Sequence, residues 1–394
     1  MKRICLITHK LKKGDGQGRV NYEIVRAACG RGYDVTILAS ECAPEVVEKM
    51  GAKFVEIRVD PWFSQFLRNQ VFAFRSFLWL KKNGADFDII HSNGFITWYS
   101  ANINAAHFVH GAWLRSEYNN DRFFAGIKSA YHKSFTILNA LLEKRAFRQA
   151  KTVIAVSPLV VEELCSIGVS RQKIVMIPNG VDIDEFHPGK GLRSELRIGE
   201  AAPLAIFSGD LRSRRKNLET VLTALREATA WHLLVLSRVE GSEYPALALE
   251  MGISDRVHFL GFRRDSPELM RSADILVFPS RYDPCTLVVA EALASGVPVI
   301  TASTVGAAFQ VPEGAGWVLD DPEDGAEIAR LLTIVANQSR KERTDASTCA
   351  RAVAVTYAWS KTAQTHLTLY DAIVNETKIE QRVSSRNSPG NPQQ

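Results

Sequence analysis

The sequence lacks the features that mark several large classes of protein. Its six cysteines are scattered and none forms a Cys-x-x-Cys pair, which argues against a zinc site or a disulfide framework and favours a reducing cytosol. No window reaches the ~18 uninterrupted apolar residues of a membrane-spanning helix. The apolar run at residues 3–8 is too short for a signal peptide, and we interpret it as a first strand.

The composition that is present is ordinary for a soluble globular protein, with 46% hydrophobic and 23% charged residues among 394. That length allows roughly two or three domains. The net charge of +5 is uneven, since residues 1–188 hold 25 Lys and Arg against 18 Asp and Glu. A basic first half favours an acidic partner, such as an anionic membrane surface, although a solvated basic face is the alternative.

Residues 281–300 read as a turn followed by an apolar helix. Thr286 is the predicted N-cap of that helix and Gly296 its predicted end. Glu291 is the one charged residue inside it, and a carboxylate in such a setting is costly unless it is paired or binds a ligand. Asp283 lies eight positions earlier, in the turn.

The two carboxylates flank the backbone N–H groups of Thr286, Leu287 and Val288. Amides at a helix start bind anions, and acceptors on either side would bind hydroxyls, so a nucleotide sugar fits this stretch. The alternative is a buried Glu291 neutralised by a core Lys or Arg.

The first residues have the strand, loop, helix, strand order that begins a parallel, doubly wound sheet. The predicted strands are residues 3–8 and 34–39, and the loop between them carries Gly14, Gly16 and Gly18. Glycines before a helix allow the backbone to approach a phosphate or sugar. A flexible turn is the alternative, because no acidic residue clearly completes a dinucleotide-binding fingerprint.

Further polar residues follow predicted strands. His107 and His110 fall at the end of the strand predicted at residues 104–110, where doubly wound sheets bind ligands; a core histidine is the alternative. The second half begins again with a strand at residues 204–208. Four cations crowd the loop after it, namely Arg212, Arg214, Arg215 and Lys216, and such a cluster favours phosphate oxygens.

Aromatic and basic residues recur at helical spacing in residues 61–82. This pattern predicts an amphipathic helix that lies on a membrane or binds an apolar acceptor, or one that packs into the core. We place the domain boundary near Gly189. The predicted domains are therefore 1–188 and 189–355, followed by a helix at 356–376 and a disordered tail at 377–394.

Taken in order, these residues resemble the retaining glycosyltransferases of family 4. The resemblance covers roughly residues 3–372 and includes GDGQGRVNYEIVRA, VIAVSP, IPNGVDIDEFHP, RRKN and DPCTLVVAEALASGVPVI. The last segment is the most specific, because it is similar to the family's acid-x7-acid signature followed by Gly-x-Pro-x-Ile. The resemblance implies the α/β GT-B fold, in which two Rossmann-like, doubly wound parallel-sheet domains face each other across a cleft.

The resemblance also implies a role for each matching residue in the second domain. Glu291 would bind the ribose hydroxyls, Asp283 the donor sugar, and the N–H groups of residues 286–288 the diphosphate. Lys216 matches the family's phosphate-binding lysine. In the first domain Gly16 would lie against the diphosphate, and His110 resembles the histidine beside the reacting face of the sugar.

Three positions depart from the family pattern. The first acid of the signature is usually Glu and is Asp283 here, one methylene shorter. The Arg that many members carry after the strand-end glycine is Asp210, so Arg212 or Arg215 would substitute. The family's Gly-Gly-x-x-Glu stretch reads GAAFQ at residues 306–310. These departures concern the identity of the donor sugar, and activity itself, more than nucleotide binding.

The implied function is hexosyl transfer from a UDP- or GDP-sugar to a hydroxyl of a glycan or lipid-linked acceptor, as in polysaccharide, lipopolysaccharide or glycolipid synthesis. We expect no metal, no further cofactor and no nucleic-acid partner. We also expect a cytoplasmic protein, with peripheral contact at the inner face of the membrane through residues 61–82. A nucleotide-sugar epimerase of the same fold and a non-catalytic nucleotide-sugar-binding protein are the alternatives; a dehydrogenase is the least favoured.

Overall fold

The computed structural model describes residues 1–13, 16–59, 65–119, 127–199 and 201–387. These residues form two α/β domains, each built around a parallel sheet. The first sheet has seven strands and the second has six. The predicted fold class, two Rossmann-like doubly wound domains, is confirmed.

The first domain contains nine strands and six helices among the described residues. Its strands are β1 (Arg3–Ile7), β2 (Lys10–Leu11), β3 (Asp34–Ala39), β4 (Glu41–Cys42), β5 (Lys53–Glu56), β6 (Ile89–Asn93), β7 (Ile103–Ala106), β8 (Thr152–Ala155) and β9 (Ile174–Met176). Its helices are α1 (Gly16–Gly30), α2 (Pro44–Glu48), α3 (Gln65–Asn83), α4 (His110–Trp113), α5 (Ile127–Gln149) and α6 (Pro158–Ser166). The main sheet has the order β5-β3-β1-β6-β7-β8-β9, and β2 pairs separately with β4.

The second domain repeats the plan. Its strands are β10 (Leu204–Ser208), β11 (His232–Leu236), β12 (Val257–Gly261), β13 (Ile275–Phe278), β14 (Val299–Ala302) and β15 (Gly316–Leu319). Its helices, with the last helix of the described chain, are α7 (Leu218–Glu227), α8 (Tyr244–Glu250), α9 (Ser266–Met270), α10 (Val288–Ala294), α11 (Gly325–Ala336), α12 (Arg340–Thr356) and α13 (Trp359–Asn387). The sheet order is β12-β11-β10-β13-β14-β15.

Burial explains why the central strands read as unbroken apolar runs. Every residue of β13 and β14 is buried, because helices cover both faces of a parallel sheet. In both domains the chain order reverses beside the first strand, at β1 and at β10. Ligands of doubly wound sheets bind at such points, beyond the carboxyl ends of the strands. The predicted boundary near Gly189 falls between β9 and β10.

The last helix returns to the first domain and packs against α1 and β6. A single bridge between Val181 and Ala358 brings the chain back beside the interdomain segment. Asp371 of α13 then accepts from Lys2 and from the hydroxyl of Tyr33. The C-terminal helix therefore links the second domain to the sheet of the first.

The prediction of a disordered tail from residue 377 is wrong for residues 377–387, which continue α13. Lys151 of the first domain forms ion pairs with Glu376 at 3.3 Å and Glu380 at 3.6 Å. The polar composition that we took as a sign of disorder thus includes Glu380, a partner of a first-domain lysine. Residues 388–394 lie outside the described part of the chain.

Three other features bear on the predicted class of protein. Within the described ranges, no helix is both long enough and apolar enough to cross a bilayer. All six cysteines are free thiols. In the same ranges, no group of three or more His, Cys, Asp and Glu side chains is arranged to hold a metal ion.

A cluster of histidines lies between the first sheet and α13. His91 Nδ1 is 2.5 Å from the hydroxyl of Tyr370, and the ring of His91 stacks on His366 with centroids 6.3 Å apart. His107 contacts the side chain of Asn93 at 3.2 Å. Burial lowers the pKa of His107 and of His366 to about 4, and that of His91 well below its ordinary value. These rings are therefore neutral at physiological pH.

The histidine cluster predicts acid sensitivity of the docking of α13. Because folding depresses the pKa of His366, its neutral form stabilises the native state, and this stability is lost as pH falls from about 6.5 toward about 4. Between about pH 7.5 and about pH 5, the free energy of unfolding of wild type should fall. We expect that of His366→Gln to fall by about 2 kcal/mol less. Urea unfolding at both pH values measures this difference. Parallel loss of stability in the two proteins would contradict it.

Candidate active site

The cationic loop between β10 and α7 ends in a fixed turn. Residues 214–216 form a 3₁₀ turn, and Asn217 follows with a left-handed backbone, φ +61°. The fully buried Asn217 side chain donates to the carbonyl oxygens of Pro279, at 3.1 Å, and Pro322, at 2.7 Å. Asn217 thereby fixes the position of Lys216, one residue before it. Asparagine tolerates this conformation better than most residues, which is the signal that our sequence reasoning missed.

Lys216 forms an ion pair with Asp283 across the mouth of the second sheet. The side chains are 15% and 8% exposed, so both charges are largely removed from water. The backbone of Asp283 is fixed on both sides, since its N–H donates to Thr304 O and its carbonyl accepts from Gly306 N at 2.7 Å. Two predicted site residues are therefore in direct contact.

The other cations of the loop have different positions. The Arg215 guanidinium lies 5.8 Å from the ring centroid of Phe108 and 6.0 Å from that of Tyr282, one residue of each domain. Arg212 instead pairs with Asp210 of its own loop at 2.7 Å and is 71% exposed. Arg214 pairs with Glu243. Of the two arginines that we proposed as substitutes, the structure brings Arg215 to the interdomain cleft and leaves Arg212 on an exposed loop.

The strand predicted at residues 104–110 ends at Ala106, so His110 does not end a strand but begins the short helix α4, beyond the carboxyl end of β7. Its Nδ1 lies 2.6 Å from Glu143 Oε2, and its backbone N–H donates to the same carboxylate at 3.2 Å. Glu143 is 3% exposed, and burial raises the pKa of its carboxyl. The ring of His110 also contacts Phe108, with centroids 4.8 Å apart.

Glu143 is a site residue that sequence reasoning missed. It lies in the segment LNALLEKRAF, where Lys144 and Arg145 follow it directly, so the argument from a lone charge in an apolar helix, which singled out Glu291, does not single it out. Its hydrogen bond to Nδ1 orients the imidazole of His110. This bond also sets the protonation of Nε2, because the state of one ring nitrogen depends on the hydrogen bond that the other makes. His107, in contrast, contacts Asn93 in the histidine cluster, so the core alternative describes it better.

A cavity of about 260 Å³ lies between the domains. Gly16 lines it from the first domain, and Leu287 and Glu291 line it from the second. A Cβ atom on Gly16 would meet no atom within 4 Å, so packing does not demand glycine there. Arg19, also in the wall, forms ion pairs with Glu23 at 2.9 Å and Asp182 at 2.7 Å.

Glu291 has no ion pair within the described residues, so the alternative of a glutamate neutralised by a core cation is wrong for this part of the chain. Burial, with a smaller contribution from the Glu185 carboxylate, raises the pKa of Glu291 to about 7. An unpaired, partly desolvated carboxylate in a cavity wall is a typical hydrogen-bonding group for a ligand.

The start of α10 differs from our prediction. The helix begins at Val288, and Leu287 is its N-cap residue, with no side-chain cap. The prediction of Thr286 as N-cap is therefore wrong by one residue, although Leu287 itself already has helical angles, φ −94° and ψ −24°. The Leu287 side chain packs against the core of the first domain. Thr286 is partly exposed and Val288 is buried. The predicted helix end is confirmed at Gly296, which has φ +73°.

Comparisons with known proteins agree with this geometry. Residues 14–185 match the description Glycosyltransferase Family 4, and residues 202–337 match Glycosyl transferases group 1. The chain belongs to the family 4 glycosyltransferases. It is 27% identical to a D-inositol 3-phosphate glycosyltransferase of Xylanimonas cellulosilytica, over 91% of this chain and 92% of that protein.

Solved structures show the same GT-B fold. Sucrose-phosphate synthase from Thermosynechococcus elongatus superposes with a TM-score of 0.78 at 20% identity, over 95% of this chain and all of that one. Anabaena HepE, in complex with UDP and glucose, superposes with a TM-score of 0.70 at 19% identity, over 94% of this chain and all of that one. The family and the fold therefore agree with the two facing parallel sheets.

The contact between His110 and Glu143 yields a test of this glycosyltransferase site. Glu143→Gln keeps the size of the side chain but removes the charge that orients the imidazole, so we expect turnover to fall about 10- to 100-fold. Initial rates of sugar transfer or donor hydrolysis measure the loss. Glu162→Gln, on the exposed side of α6, is the matched control. Turnover within a factor of about two of wild type would exclude the role.

Proposed function

We propose that this protein is a retaining, metal-independent hexosyltransferase. It moves a sugar from a UDP- or GDP-sugar to a hydroxyl of a glycan or glycolipid acceptor, in polysaccharide, lipopolysaccharide or glycolipid synthesis. The observation that carries this proposal is the interdomain cavity, which Gly16 lines from one domain and Glu291 from the other, where Glu291 has no ion pair within the described part of the chain. A ligand with both hydroxyls and phosphates matches a wall of this chemistry.

The donor would extend from this cavity to the ion pair at the second sheet. Glu291 would accept hydrogen bonds from the ribose hydroxyls, and the diphosphate would lie between Gly16 and the amides of residues 286–288. Lys216 would then contact phosphate oxygens while Asp283 accepts from a sugar hydroxyl. The ion pair between these two side chains already places one cation and one acceptor side by side.

The proposed chemistry follows the charge that develops on the leaving group. Breaking the bond between the anomeric carbon and the diphosphate leaves negative charge on the phosphate oxygen. Lys216 and Arg215 would stabilise it in a site that excludes water. The acceptor hydroxyl would attack from the same face and pass its proton to the leaving phosphate oxygen, which retains the anomeric configuration. His110, oriented by Glu143, would hold the sugar.

A donor screen tests the proposal directly. The protein is incubated with UDP- and GDP-hexoses, alone and with glycan and lipid-linked acceptors, and the products are identified by mass spectrometry. A transferase yields a glycosylated acceptor, and an epimerase yields a changed nucleotide sugar without an acceptor. Nucleotide binding in calorimetry without any product would favour the non-catalytic alternative and refute the transferase.

Glu291 should control nucleotide affinity. We expect Glu291→Ala to weaken binding of UDP or GDP at least about 100-fold, because two hydroxyl contacts to a charged group are lost. Since the pKa of Glu291 is about 7, wild-type affinity should rise from about pH 6 to about pH 8, as the carboxylate becomes the better acceptor. Glu291→Gln should remove the part of this pH dependence that comes from Glu291 and leave the part that comes from the terminal phosphate of the nucleotide, which titrates at about pH 6. Isothermal titration calorimetry measures both effects, and unchanged affinity in Glu291→Ala would refute the ribose contact.

We also propose that α3 binds an anionic membrane surface, at the inner face of the cell membrane. One side of the helix packs into the core through Phe72 and Leu80, whereas Leu67, Phe74 and Leu78 are 44%, 55% and 49% exposed. The last turn carries two lysines. An apolar face with flanking cations is typical of interfacial helices. Trp62 and Phe63, two aromatic residues of the amphipathic helix predicted at residues 61–82, lie outside the described residues.

Vesicle sedimentation tests the membrane contact. The variant carrying Leu67→Ser, Phe74→Ser and Leu78→Ser should lose about tenfold or more of its binding to phosphatidylglycerol vesicles, because the apolar area available for burial falls. Leu249→Ser with Phe262→Ser is a matched control, since both side chains are exposed in the second domain. Wild-type protein that stays in the supernatant at low salt would exclude the contact.

A further inference from the structure

The turn formed by residues 282–285 belongs to the second domain but contacts the first domain at nearly every position. The carbonyl oxygen of Pro284 accepts from Ser157 Oγ at 3.0 Å. The next carbonyl, of Cys285, accepts from Asn179 Nδ2 at 3.1 Å. Ser157 and Asn179 are 1% and 8% exposed, so both hydrogen bonds are shielded from water.

The side chains of the same turn also contact the first domain. The ring centroid of Tyr282 lies 5.4 Å from that of Phe108 and 5.0 Å from that of Trp113. Cys285 packs against the apolar cluster of the first domain that includes Val160. The residues on either side of Asp283 therefore contact the first domain, both through their backbone carbonyl oxygens and through their side chains.

Asp283 itself remains attached to its own domain. Its side chain pairs with Lys216, and its carbonyl accepts from Gly306 N at 2.7 Å. Gly306 fits closely against the turn, because a Cβ atom there would lie 2.1 Å from Pro284 O and 2.7 Å from Ser157 Oγ. The backbone of residues 283–285 is therefore held between Gly306 on one side and Ser157 on the other.

We infer that Ser157 and Asn179 are positioning residues, which hold the backbone of the 282–285 turn, and through it Asp283, when the two domains are in contact. Neither residue touches the proposed donor position, so both would act through the backbone of the 282–285 turn. If the domains separate, two carbonyls lose buried donors and the turn loses its support. Domain closure would then complete the part of the site that contacts the sugar. Only the kinetic consequence of this coupling between closure and the site rests on the proposed function.

The variants are chosen to remove each donor with little change in shape. Ser157→Ala removes the hydroxyl, and Asn179→Asp replaces a donating amide with an oxygen that accepts only. Ser157 also caps α6 by accepting from Val160 N at 3.3 Å, so Asn179→Asp separates the turn contact from helix capping. Ser157→Thr keeps both functions of the hydroxyl and serves as the rescue variant.

Two controls remove comparable groups that bond within the first domain alone. Ser76→Ala removes a buried hydroxyl that donates to Ile96 O at 3.1 Å. Asn139→Asp changes a buried amide that donates to Phe135 O at 3.0 Å. We expect both controls to change the free energy of unfolding about as much as the test variants do, and to leave the 282–285 turn unchanged.

Hydrogen exchange of the full chain, read by mass spectrometry, measures the turn directly and does not depend on the proposed function. We expect backbone amides of residues 283–288 and Gly306 to exchange about tenfold faster in Ser157→Ala and Asn179→Asp. Amides of β10 should be unchanged, and Ser157→Thr should match wild type. Equal exchange in test and control variants would overturn the inference.

Kinetics with UDP-glucose and GDP-mannose as probes then separates positioning from binding. For whichever donor is turned over, kcat should fall about tenfold in both test variants, while the affinity for UDP or GDP stays within a factor of about two. Faster exchange with unchanged kcat would also overturn the inference. If wild type turns over no donor, the proposed function fails, and the exchange measurement alone decides whether closure holds the turn.

Discussion

The ion pair between Lys216 and Asp283 is the interaction on which the arrangement of this site depends. Removing two charges from water is costly, and the attraction between them compensates only when the geometry is well supported. Here Asn217 fixes the lysine, and the backbone between Thr304 and Gly306 fixes the aspartate. These supports follow three neighbouring strands, β10, β13 and β14. The sheet therefore places a cation and an acceptor together at its carboxyl edge.

The second domain alone does not complete the site. Gly16 and His110 come from the first domain, and the cavity that contains Glu291 exists only between the two. Contacts that hold the domains in register include α13, which returns to α1 and β6, and the hydrogen bonds from Ser157 and Asn179 to the 282–285 turn. The arrangement that brings the predicted residues together is thus a property of the whole chain.

Elements that depend on local sequence signals could be predicted from the sequence. The strands at residues 34–39 and 204–208 have the predicted bounds, because each is a short apolar run between turn residues. The predicted start of α10 and end of α13 were wrong. Leu287, which precedes α10, packs on the other domain, and residues 377–387 continue α13 despite their polar composition, neither of which a local sequence pattern specifies. The pairing of His110 with Glu143 joins residues 33 positions apart, which no single-sequence pattern specifies.

The replacement of the family's arginine by Asp210 has a consequence that the sequence could not show. Asp210 binds Arg212 through two hydrogen bonds, at 2.9 and 2.7 Å, so the substitution removes one cation from the loop and engages a second. Lys216 and Arg215 are then the loop cations nearest the cleft. Because Lys216 already pairs with Asp283, a phosphate bound as in the proposed function would compete with that carboxylate. In the proposed function, the shorter Asp283 would therefore affect the charge available to the leaving group as well as the fit of the sugar.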